Sequence, residues 1–295
     1  MVVAGPTGSG KSELALRLAQ TLRGELVNYD SVQVYRGFDI GSAKPSPAER
    51  DLVPHHLFDV VDADREFNAA DYGRVAAEVC ARIERPILVG GTFFYLRALL
   101  SGLPEMPRRD EALRARLRRV AEHPRGAARL HRWLSKIDPR SGGKIAPADR
   151  HRVERALEVW ITSGRAISSW ERDPSDELPA IKLGLSVDRE RLTELLDARV
   201  EEMFRRGLIE ETRALLERFP ATARPFGTIG YKEAAAVVQG TMDARAAIDE
   251  TRRRTRAYAK RQMTWLRSER NVHWVDANDR DEAFAAALRI IEDNA

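Results

Sequence analysis

The chain opens on a short apolar run, 1–4, and passes straight into Gly5-Pro6-Thr7-Gly8-Ser9-Gly10-Lys11-Ser12. Leu14, Leu18 and Leu22 then recur at four-residue spacing, the stripe of a helix that buries one face. Leu26 and Val27 begin a second strand that ends near Asn28 to Asp30, and Pro45, Pro47 and Pro54 mark irregular chain after it. A helix is expected over about 69–82, and Pro86-Ile87-Leu88-Val89 reads as a buried strand stopped by Gly90-Gly91. Strand and helix in strict alternation predict a parallel sheet wrapped by helices.

From about Pro104 to Pro179 the period changes. Leu113, Leu117 and Val120 fall at i, i+4 and i+7, as do Val153, Leu157 and Trp160, and no strand separates them. This predicts a mostly helical insertion, 104–179, inside an α/β core made of 1–103 and 180–295. Alternation over 181–187 returns the chain to the sheet. A loop rich in Gly and Pro follows near 220–230, then a long basic helix over about 244–267 and a last strand over 272–275. Phe284, Leu288 and Ile291 line a terminal helix.

Composition narrows the class. With 295 residues, 43% hydrophobic and 32% charged, the chain has enough apolar material for a true core. Its single cysteine, Cys80, excludes a disulfide framework and a zinc cage, and it reads as a small buried residue. No apolar run approaches the roughly 18 residues of a membrane span, and glycines and a lysine interrupt the start before a signal segment can form. A soluble, cytoplasmic protein is expected, and nothing in the sequence demands more than a monomer. The net charge of +4 hides dense arginine clusters. These suit either a polyanion on one face or a solvated basic surface.

Gly5 to Ser12 satisfies G-x-x-x-x-G-K-S between a strand and a helix, the context a P-loop requires. Its glycines let backbone amides converge on phosphate oxygens at a helix N-terminus. Lys11 is placed to reach a terminal phosphate and Ser12 to ligate Mg²⁺. Yet the strand 87–89 ends in Gly90-Gly91-Thr92, with no acidic partner for a nucleotide-bound metal. That counts against nucleotide hydrolysis and leaves open a cradle for diphosphate departing from carbon. Asp30 ends the second strand at the edge where α/β sheets hold ligands. It reads as a proton acceptor, as a Mg²⁺ ligand, or as a carboxylate capping its own loop. Gln33 carries the paired donor and acceptor that read an adenine edge, although both it and Ser31 also suit a turn.

Arg252, Arg256 and Lys260 share a face of the long helix, with Tyr258 and Trp265 interleaved. The helix reads as an RNA-facing surface, or else its two aromatics form a buried stripe. Arg114, Arg116, Arg118 and Arg119, and likewise Arg152 and Arg155, read by periodicity alone as solvated faces of the insertion. Trp133, Trp160 and Trp170 read as its hydrophobic anchors, and His55 and His56 as loop or core packing without a third metal ligand.

Taken in order, these segments resemble the bacterial tRNA dimethylallyltransferase, or tRNA isopentenyltransferase, family. The resemblance rests on Gly5 to Ser12, then Asp30-Ser31-Val32-Gln33-Val34-Tyr35-Arg36-Gly37 and Asp39-Ile40-Gly41-Ser42-Ala43-Lys44-Pro45. It continues through Gly90-Gly91-Thr92-Phe93-Phe94-Tyr95-Leu96, Arg152 to Val159, Ile229-Gly230-Tyr231-Lys232-Glu233 and Tyr258 to Trp265. It implies a P-loop NTPase-like core and transfer of a dimethylallyl group from dimethylallyl diphosphate to N6 of adenosine 37 in tRNA. It further implies that Asp30 is the base toward the amine, that Thr92 contacts the reacting centre, and that the loop with Lys11 holds the diphosphate with Mg²⁺. Contact with the tRNA anticodon stem-loop is implied for Asp30, Ser31, Val32, Gln33, Thr92 and Arg114. The same holds for His151, Arg152, Val153, Glu154 and Arg155, and for Gly227, Thr228, Ile229, Gly230, Tyr231 and Lys232. Bulky Phe93 and Phe94 after Thr92 lead us to expect a narrowed prenyl channel. Three rival functions fit parts of the pattern: prenyl transfer to free adenine nucleotides, a small-molecule or nucleoside kinase, and a nucleotide-gated RNA-binding module.

Overall fold

In the computed structural model, residues 1–170 and 177–294 are described. The chain divides into two compact units, Met1–Gly102 with Leu178–Ala295, and Leu103–Glu177.

The first unit is built on six parallel strands. These are β1 (Val2–Ala4), β2 (Glu25–Asn28), β3 (His55–His56), β4 (Pro86–Val89), β5 (Lys182–Ser186) and β6 (Val272–Asp276), in the order β3-β2-β4-β1-β5-β6. Register is fixed by pairs such as Val3 with Val89 and Leu183, and Val27 with Leu88. The central strands are largely apolar and buried, with only Pro86 and Ser186 at their ends half-buried, as a sheet covered on both faces requires. Helix Lys11–Leu22 turns Leu14, Ala15, Leu18 and Ala19 onto that sheet, where they meet Ile87, Leu183, Val275 and Ile291 of the terminal helix Arg280–Asp293.

β3 lies in chain expected to be irregular, and two residues directly after Pro54 carry too little periodicity to reveal a strand. It pairs with Leu26 and Val27, and His56 Nε2 lies 2.6 Å from Glu25 Oε2. His55 Nδ1 meets the Val53 carbonyl at 2.8 Å, so both rings are tied by their own neighbourhood. Cys80 is half-buried rather than fully enclosed.

The second unit, among its described residues, holds helices Glu111–Glu122, Gly126–Ile137, Pro139–Lys144 and Arg150–Ser163. Asp110 and Asp149 cap two of them by accepting from Leu113 N and Arg152 N. Leu117, Leu130, Leu134, Val153 and Leu157 form its core, and Trp133 meets Trp160 edge-to-face at 5.9 Å. Arg114 departs from the solvated face that periodicity suggests. It is only 8% exposed, and it grips the fully buried Glu158 through Nε at 2.9 Å and Nη2 at 2.8 Å. Arg155 Nη1 joins the same carboxylate at 2.5 Å, and the Asp110 amide donates to it at 2.8 Å. Burial pushes the Glu158 carboxyl up, but those donors outweigh it and hold the group at about 2.

Candidate active site

A cavity of about 450 Å³ opens at the C-terminal ends of β1, β2 and β4. Parallel α/β sheets place ligands at this edge because loops, free of ladder pairing, converge there. Its floor is the turn between β1 and helix Lys11–Leu22. Gly8 and Gly10 hold φ of 81° and 83°, a backbone that side chains resist, and this coils the loop into the helix. The helix has no side-chain cap at its N-terminus, so its first amides are left for an anion. Thr7, Lys11 and Ser12 line the cavity, whereas Gly5, Pro6, Gly8, Ser9 and Gly10 form the loop beneath it.

Asp30 stands opposite, on the turn after β2. Asn28, buried two residues before it at the end of β2, accepts the Asp30 amide at 2.9 Å and donates Nδ2 to the Leu57 carbonyl at 2.9 Å. Tyr29 between them points the other way and donates its hydroxyl to the Val3 carbonyl at 3.1 Å. Asp30 Oδ1 accepts from Val32 N at 2.8 Å and more loosely from Gln33 N at 3.4 Å. The carboxylate does cap its own loop, and the capping uses one oxygen. Oδ2 faces Gly91, where an added Cβ would come within 3.1 Å of it. At Gly90 the same construction meets the Tyr29 backbone at 2.6 Å, so only glycine lets these two turns approach.

Thr92 is tied to the Asp30 turn. Its hydroxyl accepts from Ser31 N at 3.0 Å and donates to Ser31 Oγ at 3.0 Å, while its amide donates to the Tyr29 carbonyl. Gln33 is anchored by its amide nitrogen, which donates to the carbonyls of Ser42 and Ala43 at 3.0 and 3.1 Å. Only its amide oxygen is left for an incoming base, half of the pair the sequence offers. Phe93 and Phe94 line no part of the cavity, contrary to the expected narrowing. Phe93 stacks on Trp265 with centroids 4.8 Å apart, and Phe94 is exposed.

Of the further cavity residues, Arg199, Thr251 and Thr255 were not singled out from the sequence, and Tyr258 was read there only as an RNA-facing or buried aromatic. Arg199, on helix Arg189–Arg205, enters the cavity near Lys11 and Asp30. Burial first, then the Arg199 guanidinium, pull the Lys11 ammonium down to about 8, against the opposing attraction of Asp30. Burial likewise lowers Arg199, again opposed by Asp30. Two cations thus crowd one desolvated wall, an arrangement that favours a polyanion between them. Along the long helix Ala244–Ser268, Thr251, Thr255, Tyr258 and Gln262 line the cavity at i, i+4, i+7 and i+11. That stripe of uncharged polar residues among arginines was the available signal.

The arginines of this helix are largely held by carboxylates: Arg252 by Glu201 and Asp249, Arg253 by Glu250, Arg254 by buried Glu233, and Arg256 by Asp197. Trp265 and Tyr258 turn inward, as the buried-stripe reading expects.

Among the other expected tRNA-contacting positions, Ser31, Val32, Gln33, Thr92, Gly227, Thr228 and Ile229 line the cavity with Asp30. Lys232 is exposed and Gly230 is buried. Arg114 and His151 to Arg155 belong to the second unit, where His151 and Arg152 are exposed and Glu154 half-buried. Three positions need correction as side-chain contacts. Val153 is core, Arg114 is bound to Glu158, and Tyr231 is fully buried, donating to Glu211 Oε1 at 2.6 Å and accepting from Gly41 N. Any contact from these three falls to their backbone or their neighbours.

A P-loop NTPase-like parallel sheet, with Lys11, Arg199 and the Asp30 carboxylate in one cavity, defines an enzyme core suited to a phosphorylated substrate. An IPP transferase family model matches residues 33–269, and an isopentenyl transferase model matches residues 1–56. The tRNA dimethylallyltransferase of Geobacter sulfurreducens is 44% identical over 284 residues, covering 94% of this chain and 91% of that protein. The tRNA dimethylallyltransferase of Solibacter usitatus is 48% identical over 283 residues, covering 93% and 92%. Among solved structures, the full-length tRNA isopentenylpyrophosphate transferase of Bacillus halodurans superposes with a TM-score of 0.73 at 35% identity, covering 99% of this chain and 95% of that one. A eukaryotic dimethylallyltransferase acting on tRNA gives a TM-score of 0.78 at 29% identity, covering 99% and 78%. The chain belongs to the tRNA dimethylallyltransferase family of prenyltransferases.

Proposed function

We propose that this chain transfers the dimethylallyl group of dimethylallyl diphosphate to N6 of adenosine 37 in tRNA, releasing diphosphate and leaving N6-dimethylallyladenosine. The observation that carries this reading is the opposition of Asp30 to the Lys11–Arg199 pair across one cavity. The uncapped helix N-terminus, Lys11 and Arg199 take the diphosphate and stabilise the charge that grows on it as the carbon–oxygen bond breaks. Asp30 accepts the proton of the adenine amine as nitrogen attacks carbon, because the amine's lone pair is delocalised into the ring and leaves it a weak nucleophile. The Thr92 hydroxyl, fixed to Ser31, sits beside that carboxylate at the reacting centre. The base is taken out of the anticodon-loop stack to enter the cavity.

Magnesium fits this donor set only as an ion carried mainly by the substrate. Among the described residues no cluster of three His, Cys, Asp or Glu could cage a metal. The Ser12 hydroxyl lines the cavity beside the expected phosphates, and Mg²⁺ keeps most of its shell from phosphate and water. Bound there, the ion would neutralise charge on the leaving diphosphate. No described helix is long and apolar enough to cross a membrane.

Incubation with labelled dimethylallyl diphosphate, Mg²⁺ and unmodified tRNA should place the label on one anticodon-loop adenosine. Transfer to free adenosine monophosphate at an equal rate, or phosphorylation from ATP without prenyl transfer, would replace this reading by one of its rivals. The lowered Lys11 ammonium adds a second expectation. Diphosphate binding should raise its pKa, so affinity is full below about 8 and falls as pH rises through that value. Titration calorimetry in buffers of differing ionisation heat should show proton uptake above about 8, and Lys11→Met should abolish it. Uptake unchanged in the variant would place the titrating group elsewhere.

A further inference from the structure

The β1–β4 ladder stops at the pair Val3 and Val89, and beyond it the two chains diverge into the glycine-rich loop and the Gly90-Gly91-Thr92 turn. One side chain spans the gap. Gln262, 3% exposed on the buried face of the long helix, accepts Thr7 N on Oε1 at 2.8 Å and donates Nε2 to the Gly91 carbonyl at 2.8 Å. Accepting from one strand while donating to its neighbour is what a peptide group does inside a sheet. The orientation of the amide is fixed by its partners, since a backbone N–H only donates and a carbonyl only accepts. Tyr258 donates to the same Gly91 carbonyl at 2.9 Å, and burial followed by the charge of Asp30 keeps its phenol protonated for that purpose.

We propose that Gln262 is a positioning residue for prenyl transfer: its amide sets the spacing between the loop that holds the donor and the turn that carries Thr92 against Asp30. The contacts around Gly91 show how a displacement would be transmitted. A Cβ there would meet Gln262 Nε2 at 2.8 Å and Asp30 Oδ2 at 3.1 Å, so amide, glycine and carboxylate are packed in series. Thr92 follows directly and fixes Ser31. The donor is held on one side of this bridge and the acceptor's base on the other, and in-line transfer is sensitive to that separation. A misplacement of about 1 Å can cost on the order of 10²-fold in rate. The inference rests on the site assignment above, and its test is arranged to separate the two.

The variants are Gln262→Met, Gln262→Glu and, in parallel, Asp30→Asn, each assayed for single-turnover transfer with saturating donor and tRNA. Tyrosine fluorescence melting and tRNA affinity are followed alongside. Gln262→Met keeps the bulk and loses both hydrogen bonds. Its rate should fall by on the order of 10²-fold while tRNA affinity stays near wild type. Gln262→Glu introduces an oxygen that, ionised, cannot donate to Gly91. Protonated, the carboxyl again accepts with one oxygen and donates with the other, so its rate relative to wild type should rise as pH falls. A merely structural role would not produce that rescue. Should Gln262→Met destabilise the fold, Tyr258→Phe, which removes the second donor at Gly91, should lower the rate in the same sense. Gln262→Met and Gln262→Glu both at wild-type rate, with Asp30→Asn inactive, would overturn the positioning role and leave the site assignment standing. A Met variant at wild-type rate beside an impaired Glu variant at every pH would reduce the effect to charge and also overturn it. Full activity of Asp30→Asn would instead remove the site assignment itself.

Discussion

Replacing Asp30 by asparagine should abolish most transfer while leaving tRNA bound. Asparagine keeps an oxygen in the place of Oδ1, so Val32 N and Gln33 N retain their acceptor and the turn keeps its shape. What disappears is the proton acceptor facing the cavity. Loss of a general base lowers a rate by on the order of 10²–10⁴-fold. The residual rate should reflect placement of carbon and nitrogen alone, which the loop and Lys11 still supply. The loss should appear in kcat, measured as single-turnover transfer at saturating substrates, with tRNA affinity changed only slightly. Wild-type turnover in the variant would show that the capping contacts are the whole role of this carboxylate.

Asp30 also marks what the residues alone leave open. Its place at the end of β2 follows from the apolar run before it and from the rule that ligands gather at that sheet edge. That it serves as a loop cap and still keeps Oδ2 beside Gly91 depends on Asn28, whose buried amide turns the backbone, and on Gly90, which admits the Tyr29 backbone. Neither contact leaves a periodic trace. Five of the six strands, the long helix and the helical character of the second unit's described residues were legible because apolar runs and periods are imposed by burial itself. β3 was not, since a two-residue strand is defined by its partner.

Charge was the least legible layer. Arginine in a sequence announces a positive group without naming its counterpart, which lies three residues away for Arg253 and far along the chain for others. Arg254 and Glu233, Arg256 and Asp197, and Arg114 and Glu158 meet only on folding. Arg199 is the converse case. It has the same residue type and the same kind of helix, yet it enters the cavity beside Lys11 rather than a carboxylate-lined groove. Pattern located the glycine-rich loop in the chain, but the second cation beside Lys11 required three-dimensional neighbours.

The buried pair in the second unit leads to the other large effect. Glu158→Gln should destabilise the 103–177 unit by about 3–5 kcal/mol, because it leaves the Arg114 guanidinium buried without its countercharge. Hydrogen exchange should quicken in helices Glu111–Glu122 and Arg150–Ser163, with the β1–β6 sheet protected as before. Removing both charges in Arg114→Met with Glu158→Met should be milder than either single loss, since a buried ion pair replaced by apolar side chains costs little. The depressed Glu158 carboxyl fixes the pH window. Its contribution is present above the ordinary value of 4.5 and is lost as pH falls through about 2, so wild type should loosen over that range and the variant should not. This origin separates Arg114 from its neighbour Arg152. Arg114→Ala should weaken tRNA binding with an unchanged salt slope, through disorder of the helices that carry His151 and Arg152. Arg152, whose side chain is 72% exposed, should lower the slope when truncated, because an exposed arginine on phosphate releases a counterion. Equal slopes for the two variants would mean that the buried guanidinium leaves Glu158 to reach the RNA.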